Sequence, residues 1–395
     1  MKKYISIIIA FILAFPIAFF TVNAEDDEAV STIVQNTTTG ITVSAKSAVL
    51  MDAATGQVLY AANEHERLYP ASVTKIMPLL LFMEAIDTGK ISLTDTVTAS
   101  PVAASKGGSQ IWLKEGEQMT VDELLRATAI ASANDACTAL GEYVAGSEKA
   151  FVQLMNKRAG ELGMKNTNFV NCSGLDDDTT EHLTTAYDIA LMSKELLSHD
   201  RIKTYTTVWM DTLRGGATAL TNTNRLVRFY SGTTGLKTGT TDKAGYCLSA
   251  SAEREGLHLI AVILGAESSD DRFEGAKALL NWGFANYETV TPDLKSVEIP
   301  EVKVLRGLEK SVIPKVQSVK PVTLKKGESG RIEYTVEICE DVSAPVEKNQ
   351  LLGKITAKAG DNIIGEYSLV AESEVRKITI FDIMSGILKS MTKSA

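Results

Sequence analysis

Strand-like patterning at both ends of one long segment, with helical patterning between them, is the feature that most restricts the fold. The stretch SAVLMDAATGQVLYAAN predicts a hairpin, in which two apolar runs flank a turn at residues 55–56. A second predicted hairpin joins GYCLSASA and LHLIAVILGA through a turn at residues 255–256. Residues 90–200 between them carry mainly helical periodicity. We therefore expect residues 43–290 to form an α+β domain, with one antiparallel sheet, helices packed on it and a helical insert.

Local signals predict individual helices within this domain. A helix is expected over residues 71–88, and Pro78 inside it should produce a kink because proline removes a backbone hydrogen bond. Thr120 and Glu123 are spaced as a capping box at the start of another helix. The stretch DDRFEGAKALLNWGFANY predicts the helix that closes the domain.

A different pattern begins near residue 290. Valine, lysine and proline become common, and stretches such as GRIEYTVEI and NIIGEYSLVA predict short strands separated by turns. Residues 291–373 are therefore expected to form a small all-β domain, whose size is sufficient for one core.

The C-terminal segment, residues 374–395, predicts an amphipathic helix. Its apolar residues fall on one face at the 3.6-residue period, and they are Ile380, Phe381, Ile383, Met384, Ile387, Leu388 and Met391. The segment is too short and too polar to span a bilayer. Two interpretations remain: a helix docked on the protein's own core, or a basic helix lying in a membrane surface, which its terminal position and lysines favour.

The N-terminus has the pattern of an export signal. Lys2 and Lys3 precede an apolar run, and Val22-Asn23-Ala24 offers small residues for cleavage, so residues 1–24 are interpreted as a signal peptide. The alternative is an uncleaved membrane anchor. Either interpretation places the remaining chain outside the cytoplasm, with residues 25–42 as a polar linker.

Charge and cysteine content exclude several classes of function. Removal of residues 1–24 changes the net charge from −9 to −11, which argues against nucleic acid as a partner. The four cysteines are widely spaced, so we interpret them as buried free thiols. No Cys/His cluster has the spacing of a zinc site, and we expect neither a metal nor another cofactor.

The stretch PASVTKIM contains Ser72 and Lys75, which share a face when they stand three apart on a helix. A lysine whose pKa is lowered can take the proton of a serine hydroxyl and make it a nucleophile. The same spacing also fits an ordinary capping serine beside a solvated lysine. Ser390 and Lys393 repeat it near the C-terminus, so the pair alone decides nothing.

Two further stretches make the first one informative. Ser132 and Asn134 lie in ASANDA, where one predicted helix ends and the next begins. The stretch GLKTGTT contains a Lys-Thr-Gly element that begins at Lys237, just before a predicted strand. Gly239 in this element would let a ligand approach the backbone. Each stretch alone fits a helix cap or a plain turn, but the three in this order form a strong combined signal.

With these motifs, the chain resembles the low-molecular-weight penicillin-binding proteins, specifically the serine-type D-alanyl-D-alanine carboxypeptidases. The stretches GGSQIWLKEGEQMTV, HLTTAYDIA, NTNRL and DKAGYCLSASA are also similar to this family. The resemblance covers nearly the whole chain. It implies a β-lactamase/transpeptidase-like catalytic domain that hydrolyses the terminal D-Ala-D-Ala of peptidoglycan stem peptides and is acylated by β-lactams. It also implies peripheral attachment to the outer face of the cytoplasmic membrane through the C-terminal helix.

The resemblance also implies a role for each site residue. Ser72 would be the nucleophile, Lys75 its base, and Ser132 the group that passes a proton to the leaving amine. The remaining residues would bind substrate: Asn134, Lys237, Thr238, Gly239, Thr240 and Thr241. Thr240 stands where some relatives have histidine, which leaves substrate preference open. His182 precedes a predicted helix and is interpreted as a structural polar contact.

Three rival functions share parts of this pattern. A serine β-lactamase would need a carboxylate that activates the deacylating water, and Glu161 lacks the surrounding Glu-x-x-Leu-Asn pattern. A transpeptidase or endopeptidase of the same superfamily differs mainly in the acceptor that reaches the acyl-enzyme. A non-catalytic wall-binding protein would not need Ser72, Lys75 and Lys237, and all three are present.

Overall fold

The structure of the protein is a computed structural model that describes residues 33–36, 40–176 and 179–385. The described residues form one compact unit. The predicted signal peptide lies outside these ranges, and so do residues 386–395 of the predicted C-terminal helix.

The first domain has its longer strands near its two ends and short strands between its helices. The strands are β1 (Ile33–Asn36), β2 (Ile41–Ser44), β3 (Ser47–Asp52), β4 (Val58–Ala62), β5 (Thr96–Thr98), β6 (Gln118–Thr120), β7 (Met210–Leu213), β8 (Thr218–Thr221), β9 (Thr233–Thr241), β10 (Gly245–Arg254), β11 (Leu257–Ala266) and β12 (Tyr287–Val290). A five-stranded antiparallel sheet has the order β4-β3-β11-β10-β9. Both predicted hairpins are confirmed, and pairing of β3 with β11 brings the two ends of the domain together.

Helices occupy most of the chain between the two hairpins, and one more helix follows the second hairpin. They are α1 (Ile76–Asp87), α2 (Pro101–Ala104), α3 (Val121–Ile130), α4 (Asn134–Ala145), α5 (Glu148–Glu161), α6 (Ala186–Leu197), α7 (Lys203–Thr206), α8 (Leu226–Phe229) and α9 (Ser269–Asn286), with 3-10 turns at Ala71–Lys75, Asp200–Ile202 and Arg214–Gly216. The predicted capping box of Thr120 and Glu123 is present at the start of α3.

The sheet separates two hydrophobic cores because neighbouring residues of a strand face opposite sides. Val49 and Met51 of β3 belong to the core that contains α1, α4 and α6. Ala48 and Leu50 belong to the second core, which α9 covers with Phe273 and other apolar residues. The first domain is therefore a sheet covered on both faces, as expected for the predicted fold class.

The expected helix over residues 71–88 differs from the structure at its start. Residues Ala71–Lys75 form a 3-10 turn, and α1 runs without interruption from Ile76. Pro78 is the third residue of α1, in the turn where backbone N–H groups have no acceptor within the helix. The predicted kink at Pro78 is therefore wrong, because proline is tolerated in the first turn.

The second domain is built of strands, as predicted. These are β13 (Val302–Leu305), β14 (Ser311–Val312), β15 (Pro314–Val316), β16 (Val322–Lys325), β17 (Ile332–Ile338), β18 (Asp341–Ser343), β19 (Leu351–Ala359) and β20 (Asn362–Ala371), with 3-10 turns at Leu294–Ser296 and Ser329–Arg331. One sheet has the order β15-β20-β19-β17, and another has the order β14-β13-β18. β16 pairs with β12, and the Thr323 hydroxyl donates to buried Asp52, so strand pairing and a side-chain contact link the domains.

The described part of the C-terminal segment begins a helix at residues 380–385. Four apolar side chains on it are exposed, namely Ile380, Phe381, Ile383 and Met384. Asp382 accepts hydrogen bonds from the backbone and hydroxyl of Thr379 and pairs with Arg376. Within the described ranges, none of the helices has the length and apolar character needed to traverse a bilayer.

Candidate active site

The Ser72–Lys75 pair is assembled on the 3-10 turn that precedes α1. Lys75 Nζ donates a hydrogen bond to Ser72 Oγ at 2.9 Å and another to the Ser173 carbonyl at 2.7 Å. Lys75 is completely buried, and this burial lowers its pKa to about 8. A lysine with this pKa is partly neutral near physiological pH, so its amine can accept the serine proton.

A glycine contact fixes the chain around this pair. Gly174 has a φ of +87°, and a Cβ on it would lie 1.8 Å from the Ala71 carbonyl oxygen. Ala71 itself has a φ of +48° immediately before Ser72. The loop that holds the Ser173 carbonyl against Lys75 can therefore approach the 3-10 turn only with glycine at this position.

Ser132 and Asn134 lie in the predicted connection between helices α3 and α4. Ser132 has a φ of +63°, and within the described part of the chain its buried Oγ has no hydrogen-bond partner. Asn134 Nδ2 donates to the Gly107 carbonyl at 2.7 Å, while its buried Oδ1 has no partner there. A hydroxyl and an amide oxygen are therefore available for an incoming polar group, since buried polar atoms are normally paired.

The Lys-Thr-Gly element lies inside β9, the edge strand of the sheet, and not just before a strand as predicted. Lys237 is buried and donates to the Thr238 carbonyl at 2.8 Å. Burial, followed by the nearby charge of Lys75, holds the pKa of Lys237 well below its usual value. Thr238 Oγ1 donates to Thr223 Oγ1 at 2.7 Å.

Gly239 allows β9 to lie directly against the 3-10 turn that carries Ser72. A Cβ at this position would be 2.8 Å from both the Pro70 carbonyl oxygen and the Ser72 backbone nitrogen. Burial dominates the pKa of Lys75, and Asp135 at the start of α4 is close enough to oppose that shift by favouring the charged form. The structure thus brings the three predicted stretches together around Ser72.

The two threonines after Gly239 have different surroundings. Thr240 Oγ1 accepts a hydrogen bond from Arg272 Nη1 at 3.0 Å, and the same nitrogen donates to the Gly239 carbonyl at 2.9 Å. Thr241 Oγ1 instead donates to Asp176 Oδ2 at 2.6 Å. Of the two, Thr240 is the hydroxyl that adjoins a cation, and Thr241 connects the end of β9 to a loop.

Sequence reasoning missed Arg272, which α9 places behind the end of β9. This side chain is largely buried, and burial lowers its pKa. The only available signal was an arginine on the otherwise apolar face of the closing helix. Its position beside Thr240 adds a fixed positive charge to this end of the site.

His182 is buried in a structural polar contact. Its Nδ1 accepts a hydrogen bond from the Val170 backbone, which leaves Nε2 to donate to Thr74 Oγ1 at 2.8 Å. Burial and the nearby Lys75 lower its pKa to about 4. The neutral imidazole therefore connects the turn that carries Ser72 to the neighbouring loop.

The cysteines agree with the prediction of free thiols in all four cases and with burial in three. Cys137, Cys172 and Cys247 are buried. Cys339 is exposed in the β domain, so the expectation of burial is wrong for this residue. Cys339 follows β17, whose alternate residues are exposed, and this is why its apolar neighbours do not cover it.

A family profile described as D-alanyl-D-alanine carboxypeptidase matches residues 32–268, more than half of the chain. The chain belongs to this family. A second profile, described as the C-terminal domain of penicillin-binding protein 5, matches residues 287–377 of the carboxypeptidase. The predicted family and enzyme class are thereby confirmed.

Individual relatives agree over both domains. The chain is 42% identical to D-alanyl-D-alanine carboxypeptidase DacF of Bacillus subtilis, over 88% of this chain and 90% of that protein. It is 36% identical to DacC of Escherichia coli, over 85% of each. Penicillin-binding protein 5 of Haemophilus influenzae has a TM-score of 0.77 at 32% identity, covering 85% of this chain and 98% of that one.

A solved relative also bears on inhibition. Penicillin-binding protein D2 of Listeria monocytogenes, solved in an ampicillin-bound form, has a TM-score of 0.57 at 33% identity. The match covers 61% of this chain and 98% of that one. The predicted fold class, including the β domain after the catalytic domain, is confirmed by these neighbours and by the second family profile.

Proposed function

We propose that this carboxypeptidase removes the terminal D-alanine of peptidoglycan pentapeptide stems through an acyl-enzyme on Ser72. The observation that carries the proposal is the 2.9 Å hydrogen bond between Lys75 Nζ and Ser72 Oγ, made by a completely buried lysine. A nucleophile with an adjacent base of lowered pKa is the arrangement that covalent serine catalysis requires.

Acylation follows from the positions of these groups. Neutral Lys75 takes the Ser72 proton as Oγ attacks the carbonyl between the two D-alanines. The backbone N–H groups of Ser72 and Thr240 would stabilise the oxyanion that forms. The proton then reaches the leaving D-alanine amine through the Ser132 hydroxyl, the C–N bond breaks, and water later hydrolyses the ester.

Substrate binding uses the remaining polar groups. Asn134 Oδ1 accepts the N–H of the amide that precedes the scissile bond. The terminal carboxylate binds at Thr238 and Thr240, beside Lys237, and Arg272 supplies positive charge there. We assign Thr241 a supporting role, because its hydroxyl donates to Asp176.

The test is D-alanine release from a pentapeptide that ends in D-Ala-D-Ala. Wild type should release one D-alanine per peptide, and Ser72→Ala should abolish release. Ser390→Ala is the matched control, because Ser390 and Lys393 repeat the spacing of the catalytic pair. Equal loss in both variants, or release by Ser72→Ala, would contradict the assignment.

Benzylpenicillin separates this function from a β-lactamase. The carboxypeptidase should retain a penicilloyl adduct that is stable enough to detect by intact mass. Rapid multiple turnover of benzylpenicillin without D-alanine release would instead favour a β-lactamase, since both enzyme classes share the serine–lysine element. An adduct without D-alanine release would favour a transpeptidase or a wall-binding protein.

We further propose export and peripheral attachment to the outer face of the cytoplasmic membrane. The signal-peptide pattern of residues 1–24 supports export. Exposed Ile380, Phe381 and Ile383 support insertion of the tail into a lipid surface.

Vesicle flotation tests the attachment. The mature chain should float with vesicles that contain anionic lipid, and a chain ending at residue 378 should remain in the soluble fraction. Phe381→Ser should weaken flotation, whereas Leu351→Ser, at an exposed apolar residue of the β domain, is the matched control. Equal flotation of the full and shortened chains would contradict the proposal.

A further inference from the structure

Trp112 combines high exposure with an unfavourable backbone conformation. Its side chain is 72% exposed and its φ is +56°, whereas Ile111 and Leu113 on either side are buried. A bulky residue at positive φ is a conformational outlier, and such outliers are concentrated at functional sites. An exposed indole gains little from burial, so folding gives no reason for tryptophan at this position.

Charged side chains, one of them fully buried, hold the backbone on both sides of Trp112. The carboxylate of fully buried Asp135 accepts the Ile111 N–H at 3.2 and 3.1 Å and the Leu113 N–H at 3.0 Å. Arg214 Nη1 donates to the Ile111 carbonyl at 3.0 Å. The indole is therefore held outside the core by a fixed backbone, as in a pre-organised binding group.

The same loop is bound to Asn134 of the active site. Asn134 Nδ2 donates to the Gly107 carbonyl, and its backbone N–H donates to the Ser109 carbonyl, both at 2.7 Å. Trp112 is three residues from Ser109, so their Cα atoms are at most about 11 Å apart. Trp112 consequently lies at the rim of the cleft on the side of Asn134.

We propose that Trp112 forms a subsite for the stem-peptide residue that precedes the terminal D-Ala-D-Ala pair, and that the preferred side chain is an alkyl chain ending in an ammonium group. The inference rests on the proposed function, in which Asn134 holds the substrate amide on that side of the scissile bond. The next side chain along the stem then reaches the rim where Trp112 lies. Methylene groups pack on the indole, and its face attracts the ammonium.

The test compares two tripeptides, Nα-acetyl-L-lysyl-D-Ala-D-Ala and Nα-acetyl-glycyl-D-Ala-D-Ala. Trp112→Gly removes the indole and also relieves the positive φ, because glycine adopts this conformation without strain. The lysyl-to-glycyl ratio of kcat/KM should fall about tenfold from the loss of a cation–π contact. The Tm should stay the same or rise. Trp112→Phe should retain part of the ratio.

The outcomes separate this inference from the function on which it rests. An unchanged lysyl-to-glycyl ratio of kcat/KM in Trp112→Gly overturns the subsite. This holds whether hydrolysis of both peptides slows equally or hydrolysis of neither slows. A lower Tm with equal slowing would identify Trp112 as structural support only. If wild type hydrolyses neither tripeptide, the proposed function fails and the subsite fails with it.

Discussion

The pH dependence of acylation follows from the burial of Lys75. The neutral amine of Lys75 is the proposed base, and burial lowers its pKa to about 8. The neutral fraction is then about one-eleventh at pH 7, about one-half at pH 8 and about ten-elevenths at pH 9. We therefore expect the second-order rate of acylation by benzylpenicillin to rise about fivefold from pH 7 to 8, and less than about twofold from pH 8 to 9.

Intact-protein mass after quenched, timed incubations measures this rate without a reporter substrate. An ordinary lysine would give a rise of about tenfold per pH unit over the whole range, because its pKa lies above 10. A continued tenfold rise between pH 8 and 9, or no dependence at all, would refute the reasoning. Lys237→Arg, which places a fixed charge beside Lys75, should move the break below pH 8, because a neighbouring cation lowers the pKa of a lysine further.

Further predictions concern packing, stability and thiols. Gly174→Ala should slow acylation by about a hundredfold or more, because the added Cβ meets the Ala71 carbonyl. Gly160→Ala is the control, because its Cβ meets nothing within 4 Å and the measured acylation rate should not change. The pKa of His182 is about 4 in the folded protein, which is below its value in the unfolded chain. Neutral His182 therefore makes its full contribution to the free energy of unfolding above pH 6.5, and this contribution is lost as the pH falls toward 4. His182→Gln should reduce this acid loss of unfolding free energy by about 3 kcal/mol in urea titrations, and an unchanged loss would contradict it. A disulfide reagent should react with one thiol in the native chain, the exposed Cys339, and with all four thiols after denaturation. Rapid reaction of more than one thiol in the native chain would contradict this prediction.

The sequence was sufficient for features that depend on local periodicity. Both hairpins of the catalytic sheet and the capping box at Thr120 follow from residues that are neighbours in the chain. The stretches around Ser72, Ser132 and Lys237 were identified together because each carries its own short signal. Their convergence in space is what the resemblance implied, and the structure shows it.

Contacts between distant parts of the chain were not predictable from these patterns. Arg272 reaches Thr240 from a helix that begins 28 residues after β9 ends, and its place on an apolar helix face does not indicate which strand it contacts. The need for Gly174 arises only when its loop approaches Ala71. Pro78 was misjudged for a related reason, since its effect depends on where the α-helix begins.

The most direct test of the account is the location of the penicilloyl group after incubation with benzylpenicillin. Trypsin cleavage after Arg67 and Lys75 gives a peptide of residues 68–75, in which Ser72 is the only serine. The account predicts one penicilloyl mass on this peptide in wild type and in Ser390→Ala, and none in Ser72→Ala. An adduct on any other peptide, or one that persists in Ser72→Ala, would contradict the assignment of Ser72 as the nucleophile.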